Sequence, residues 1–228
     1  MEELHEGICG SHVGGRSLSS KAIHAGYSWP TMKENCTRYA QRCKQCQQHA
    51  DWHKAPPEEL RSIYTPWPFH TWGIDILGPF PLAVRQMKYV VVAIEYFTKW
   101  IEAEPVAQIT THKIQHFVWK NMVCRFGISK RLVSDNGTQF ASQQLGKLCT
   151  KLGVKQLFAS VKHPQTNGQV ESANQVLLRV LERRLDKANW AEKVPRIVWA
   201  YHTTPQSTTR ETPFSLVYGS DAMIPVEI

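Results

Sequence analysis

Apolar positions along this chain follow two rhythms. From Trp72 to Leu77, Tyr89 to Phe97 and Ile101 to Val106, runs rich in Val and Ile with Tyr and Phe at their edges predict strands. A helical spacing follows from Thr111 to Arg125 and stops at Gly127. A short strand is expected over Arg131 to Ser134, a helix from about Ser142 to Leu152 ending at Gly153, and a strand from Lys155 to Ser160. Further on, Val170, Ala173, Leu177, Val180, Leu181 and Leu185 recur mostly at spacings of three and four, which marks one buried helical face. Ahead of all this, shorter helical patterns run from Ser17 to Ala25 and from Met32 to Gln47. Ala55-Pro56-Pro57 breaks the chain, and Pro66 and Pro68 mark an extended entry into the larger part. Strands first, then strand and helix in alternation, predict an α/β mixed sheet flanked by helices.

Three carboxylates interrupt this pattern. Asp75 sits inside the strand-like run Trp72, Ile74, Ile76, Leu77, where a bare ionised acid would cost several kcal/mol or more. It must be paired or hold a cation. Asp135 ends the run Leu132 to Ser134, just where a turn begins, and Glu171 opens the helical stretch after a Pro/Asn/Gly loop. On a mixed sheet, acids on the first strand, at the end of a later strand and on the first turn of a helix can meet at one edge. Oxygen-only acidic sites select hard cations such as Mg²⁺, and two such ions can clamp the attacking and leaving oxygens of a phosphoryl displacement.

The amino-terminal part offers different ligands. Cys43 and Cys46 have the two-residue gap that lets both thiolates reach one ion, and His5 and His12 upstream complete an N₂S₂ set suited to Zn²⁺. A part of about 50 residues buries little core, so a structural metal would help it fold. Cys9 and Cys36 are rival ligands, and ordinary thiols with solvated histidines are the alternative. The chain as a whole is compatible with a polyanionic partner: 27 Lys and Arg against 19 Asp and Glu give +8. The segment MEELHEGICG has no apolar core of a secretory signal, and no apolar run approaches a membrane span. The chain therefore carries no expected membrane partner, and its six cysteines point to metal or free thiols before disulfides.

Together these segments resemble the integrases of gypsy-type LTR retrotransposons, relatives of retroviral integrases. HEGICGSH, GYSWPTM and CKQC are similar to the family's HHCC zinc-binding domain. WGIDILGP, EYFTKW, SDNGTQF, HPQTNGQVE and ETPFSLVYG are similar to its catalytic core and the stretch after it. The 35 residues between Asp135 and Glu171 match the family's DDE spacing. The resemblance implies an RNase H-like core with a small helical zinc domain, divided as 1–55, a linker over 56–68, and 69–228. It implies Asp75, Asp135 and Glu171 as ligands of Mg²⁺ or Mn²⁺, and His5, His12, Cys43 and Cys46 as ligands of a structural Zn²⁺. The implied activity is trimming the 3′ ends of element DNA and joining them to target DNA; a non-catalytic DNA-binding remnant of a polyprotein is the alternative. DNA is the implied partner, in a homo-oligomer acting in the nucleus after cytoplasmic assembly. The family usually adds a carboxy-terminal DNA- or chromatin-binding domain, to which this sequence does not extend. Glu95, in EYFTKW, stands where related sequences often show Asp and is given no catalytic meaning.

Residues around the acids are candidates for DNA contact. Asn136 lies in an Asn-Gly turn that would also steady Asp135. Gln165, Asn167 and Gln169 form a polar loop before Glu171, and Arg179, Arg183 and Arg184 follow it. For these, phosphate or base contact and a simple solvated face both stay open. His163 reads as an exposed loop residue, and Trp100, Trp119, Trp190 and Trp199 as core.

Overall fold

The computed structural model describes residues 1–7, 10, 12–48, 65–158 and 189–223. Glu171, Gln165, Asn167, Gln169, Arg179, Arg183 and Arg184, the apolar face from Val170 to Leu185, His163, Ser160, Cys9 and most of the 56–68 linker lie outside the described residues. Among those described, two compact units form: one from the amino-terminal helices with residues 195–223, the other from residues 65–158 and 189–194.

The second unit is built on a five-stranded sheet. Its strands are β1 (Thr71–Leu77), β2 (Tyr89–Glu95), β3 (Ile101–Val106), β4 (Arg131–Ser134) and β5 (Lys155–Phe158), in the order β3-β2-β1-β4-β5. β1, β2 and β3 pair antiparallel, while β4 joins β1 and β5 in parallel, which is the mixed sheet expected from the sequence. Val91, Val92, Ala93 and Ile94 of β2 are almost wholly buried, as befits a strand covered on both faces. β3 lies at the edge and tolerates Pro105 opposite Val90, because an edge strand can spare a ladder hydrogen bond.

β2 stops two residues earlier than Phe97. The buried Glu95 accepts hydrogen bonds from the backbone N–H groups of Phe97 (3.0 Å) and Thr98 (2.7 Å) and from the Thr98 hydroxyl (2.8 Å), so its side chain builds the turn into β3. Helices of this unit start at hydroxyl caps. Thr110 accepts from Lys113 N at the head of α5 (Thr111–Phe117), and Ser142 accepts from Leu145 N at the head of α7 (Gln143–Leu152), which ends on the left-handed Gly153. Between them, α5 runs into a wider π-helical stretch (Val118–Val123) and a short α6 (Cys124–Phe126). Trp100 and Trp190 are core residues as expected, and Trp199 is half-buried beside Phe214. Trp119 is a correction: it is 49% exposed, because the buried face is set by Ile114, Phe117, Val118 and Met122 and Trp119 lies off it. The first residues of α8 (Trp190–His202) also belong here, with the Trp190 indole donating to Pro81 O at 2.7 Å.

One ion pair, its carboxylate buried and its guanidinium exposed, ties β3 to α6. Glu102 is 5% exposed and accepts hydrogen bonds from the Trp100 indole (2.8 Å) and from Arg125 (2.6 Å). Burial raises its carboxyl above the ordinary value, and the bonds from Trp100, Arg125 and Asn121 only partly oppose this. A carboxyl raised in the folded state contributes stability below its unfolded value that is lost as pH rises through the folded one. Replacing Arg125 by Met strips one opposing charge and leaves Glu102 buried, so the loss grows with pH. We expect Arg125→Met to cost about 1–3 kcal/mol at neutral pH and far less near pH 4.5, the unperturbed carboxyl value. Urea midpoints at the two pH values measure this, and an equal cost at both would refute the account.

In the first unit, α1 (Glu2–Glu6), α2 (Gly15–His24), α3 (Met32–Arg42) and α4 (Lys44–Gln48) surround a small cluster of buried residues, Leu4, Leu18, Ala22, Met32 and Cys36, with Val13, Ala25, Trp29 and Tyr39 partly buried against it. The single helix expected from Met32 to Gln47 is two helices. Cys43 breaks it with an extended conformation (φ −65°, ψ 119°). The same unit holds α9 (Pro213–Tyr218), where Thr212 accepts from Ser215 N at 3.0 Å.

Candidate metal centre and sheet-end carboxylates

The broken helix has a purpose legible in the side chains. Its kink at Cys43 turns Cys43 and Cys46 toward His5 and His12, and the ligand atoms of all four lie within 4.8 Å of one another. His12 Nδ1 is 3.3 Å from Cys43 Sγ, and His5 Nε2 is 3.4 Å from Cys46 Sγ. Tetrahedral Zn²⁺ with ordinary Zn–N and Zn–S bonds sets N and S about 3.6 Å apart, so the donor set fits that ion with small adjustment. His5 is wholly buried and His12 8% exposed, which gives the centre a dry interior.

The loop between the two histidines is shaped for this. His12 takes a left-handed conformation (φ 50°), uncommon outside glycine, while its N–H bonds to His5 O at 3.0 Å. Gly10 lies so close to α1 that a Cβ there would stand 2.5 Å from His5 O and 2.6 Å from Glu6 N. Only glycine lets the loop return over α1 and present His12. On the other side of His5, Tyr39 stacks edge-on at 5.3 Å and donates to Glu6 at 2.9 Å; burial first, then that bond, pushes the phenol up to about 12. The rival Cys36 is wholly buried in the apolar core, with its thiol raised by burial, and stands apart from the four-ligand group.

The second candidate lies at one end of the sheet. β1 pairs with β4 as Thr71↔Arg131, Trp72↔Leu132 and Gly73↔Val133. Continued two residues, this register sets Asp75 level with Asp135 on neighbouring strands, which run about 4.8 Å apart. Both acids thus reach the carboxyl ends of adjacent parallel strands. Each is also oriented by the backbone: Asp75 Oδ1 accepts from Ile76 N at 2.7 Å, and Asp135 Oδ1 from Gly137 N at 3.0 Å. The latter is an Asx turn, closed by the Asp135 side chain at the place where the sequence suggested an Asn-Gly turn. Asp75 is half-buried, while Asp135 and Asn136 are exposed. β1 ends two residues beyond Asp75, at Leu77, and Gly78 follows with φ 122°, where a Cβ would meet Lys88 O at 2.7 Å. Sequence reading gave Glu95 no role; the geometry makes it a turn builder, a signal carried by its place in a hairpin between apolar runs.

Comparison with known proteins follows the same division. Residues 1–52 match the family model described as integrase zinc binding domain, and residues 66–164 match integrase core domain. The chain is 25% identical over 229 residues to gypsy retrotransposon integrase-like protein 1 of Bos taurus, covering 99% of this chain and 45% of that protein. It is 25% identical over 231 residues to the retrovirus-related Pol polyprotein from transposon 412 of Drosophila melanogaster, covering 99% of this chain and 18% of that polyprotein. The chain thus spans less than half the length of these relatives. A solved neighbour comes from the cryo-EM structure of a simian T-cell lymphotropic virus intasome in complex with the PP2A regulatory subunit B56 gamma. It superposes with a TM-score of 0.62 at 16% identity, over 95% of this chain and 72% of that one. That likeness shows the fold: an RNase H-like mixed sheet flanked by helices, with a small helical amino-terminal domain. Among the described residues, no helix is long and apolar enough to cross a membrane.

Proposed function

The chain belongs to the gypsy-type integrases, and from that membership we propose that it trims the 3′ ends of element DNA and joins those ends to target DNA. The register that levels Asp75 with Asp135 carries this reading furthest, because it gathers two carboxylates where a phosphodiester could meet both. Glu171, in the family's spacing, is the third acid of the reading. We further propose the division into a zinc domain over 1–55 and a core over 69–228, and a homo-oligomer that acts on DNA in the nucleus after cytoplasmic assembly. Zinc-binding and core matches in order along one chain favour this over a non-catalytic DNA-binding remnant.

The acids supply an oxygen-only donor set that fits a hard divalent cation. When bound, Mg²⁺ or Mn²⁺ lowers the pKa of the attacking oxygen and stabilises the leaving one. The protein's own part is orientation. Backbone N–H groups of Ile76 and Gly137 hold one oxygen of Asp75 and of Asp135, so the carboxylates need not reorganise as charge develops. In trimming, a water oxygen attacks phosphorus and the bond to the 3′ oxygen breaks, leaving a 3′-hydroxyl on the element. In joining, that hydroxyl attacks a target phosphodiester and the target's own 3′ oxygen departs. No covalent enzyme intermediate is required.

The test is disintegration, the reverse of joining, on a preformed branched DNA with Mg²⁺ or Mn²⁺. We expect the folded, zinc-loaded chain to resolve the branch into its two products. Failure with either ion under conditions where the chain binds the substrate would overturn the reading.

A further inference from the structure

At the opposite end of β4 from Asp135 the sheet presents an uncompensated cluster of positive charge. Arg131 of β4 stands directly opposite Lys155 of β5, and Lys130 precedes Arg131; all three are exposed. Like charges directly across two strands destabilise a sheet. Elsewhere some surface cations are matched, as Arg38 is with Glu34, Lys120 with Glu104 and Arg125 with Glu102. Among the described residues, Lys130, Arg131 and Lys155 have no ion-pair partner. The cations reach the buried ring of His70, whose charged form is disfavoured first by burial and then by Arg131 and Lys130. The carboxylate that opposes them there, Glu95, is buried and its oxygens are taken by Phe97 and Thr98. The backbone beneath the cluster is tied down. His70 O accepts from the N–H groups of both Lys130 (3.0 Å) and Arg131 (3.1 Å), and Lys130 O accepts from Lys155 N (2.9 Å).

We infer that Lys130, Arg131 and Lys155 form a docking patch for the phosphate backbone of duplex DNA, separate from the sheet-end carboxylates. A cluster of like charges on neighbouring strands, held at a cost in sheet stability, is what a polyanion repays. Three residues of β4, Leu132 to Ser134, separate Arg131 from Asp135, which at the rise of a parallel strand is about 13 Å. The patch therefore positions DNA without touching the reacting phosphodiester. The inference rests on the DNA reading above and adds a surface to it.

The experiment compares the full, zinc-loaded chain with Lys130→Gln/Arg131→Gln/Lys155→Gln in binding to a random-sequence duplex, without added Mg²⁺ or Mn²⁺, across a salt series. Each lost phosphate contact lowers the slope of log K against log salt by about 0.9, so the triple variant should lose up to about 3 from its slope, equally for unrelated sequences. Its melting temperature should match or exceed that of the unmodified chain, because the Arg131–Lys155 repulsion is gone. The charge-keeping set Lys130→Arg/Arg131→Lys/Lys155→Arg should bind as the unmodified chain does. If the triple variant fails to fold, Lys155→Gln alone should lower the slope by about 1. An unchanged slope in a folded variant, while the unmodified chain binds DNA, overturns the patch and leaves the DNA reading intact. A loss confined to single-stranded RNA or to an acidic protein also overturns it. No salt-dependent duplex binding by the unmodified chain overturns both.

Discussion

Asp75→Asn, Asp135→Asn and Glu171→Gln are each expected to lower disintegration, trimming and joining by about a thousandfold or more, the scale on which loss of a charge aimed at the transition state is felt. The substitutions keep shape and remove charge. Asn at 135 can still accept from Gly137 N through its amide oxygen, since Asn makes the same turn as Asp. Asn at 75 can likewise keep the bond from Ile76 N. The sheet should therefore fold, and duplex binding should change little. Relief of repulsion between neighbouring acids should, if anything, raise binding of the polyanion slightly. Activity, binding and thermal melting measured on each variant separate the causes. Near-normal disintegration by Glu171→Gln would remove that residue from the reading while leaving Asp75 and Asp135 in it. Near-normal activity of Asp135→Asn would remove the sheet-end site itself.

The sheet was legible because its strands carry strong signals in consecutive residues. Val90 to Ile94 is an apolar, β-branched run bounded by turns, Ile101 and Val106 bracket a shorter edge strand, and the observed strands differ from the expected ones by two residues or fewer where they are described. What misled was a side chain acting on its own backbone. Glu95 belongs to the β2 pattern by sequence, yet its carboxylate closes the turn that ends the strand. The helix expected from Met32 runs past its observed end for a related reason: its spacing continues through Cys43, and only the demand of a distant ligand set bends it there. Trp119 shows periodicity overruling composition, since the helical spacing puts this large apolar residue off the buried face. Asp75 and Asp135 were legible as misplaced acids, but their levelling across β1 and β4 is a matter of register, which no local pattern carries. The Lys130, Arg131 and Lys155 cluster was hidden for the same cause, because Lys155 meets Arg131 only through the parallel pairing of β4 and β5.

Removing zinc should unfold the amino-terminal helices and leave the sheet standing. The buried cluster is a small core for helices this short, and isolated helices of five to eleven residues do not persist in water on their own. The strained backbone at His12 adds a cost of order 1–3 kcal/mol that apolar contacts there do little to offset. Zinc bound by two histidines and two thiolates supplies on the order of 10 kcal/mol in finger peptides, enough to reverse the balance. The sheet rests instead on a broad apolar core that includes Ile74, Ile94, Leu132 and Phe117 and needs no ion. Hydrogen exchange followed peptide by peptide reads both parts at once. A zinc chelator should strip protection from α1 to α4 while β1, β2 and β4 keep theirs, and returning Zn²⁺ should restore it. Cys43→Ser should mimic the chelator, whereas Cys36→Ala, which touches the core and not the ligand set, should lower stability modestly and leave zinc bound at one ion per chain. Natively purified protein that lacks zinc, or α1 to α4 peptides indifferent to the chelator, would show that His5, His12, Cys43 and Cys46 gather for another reason.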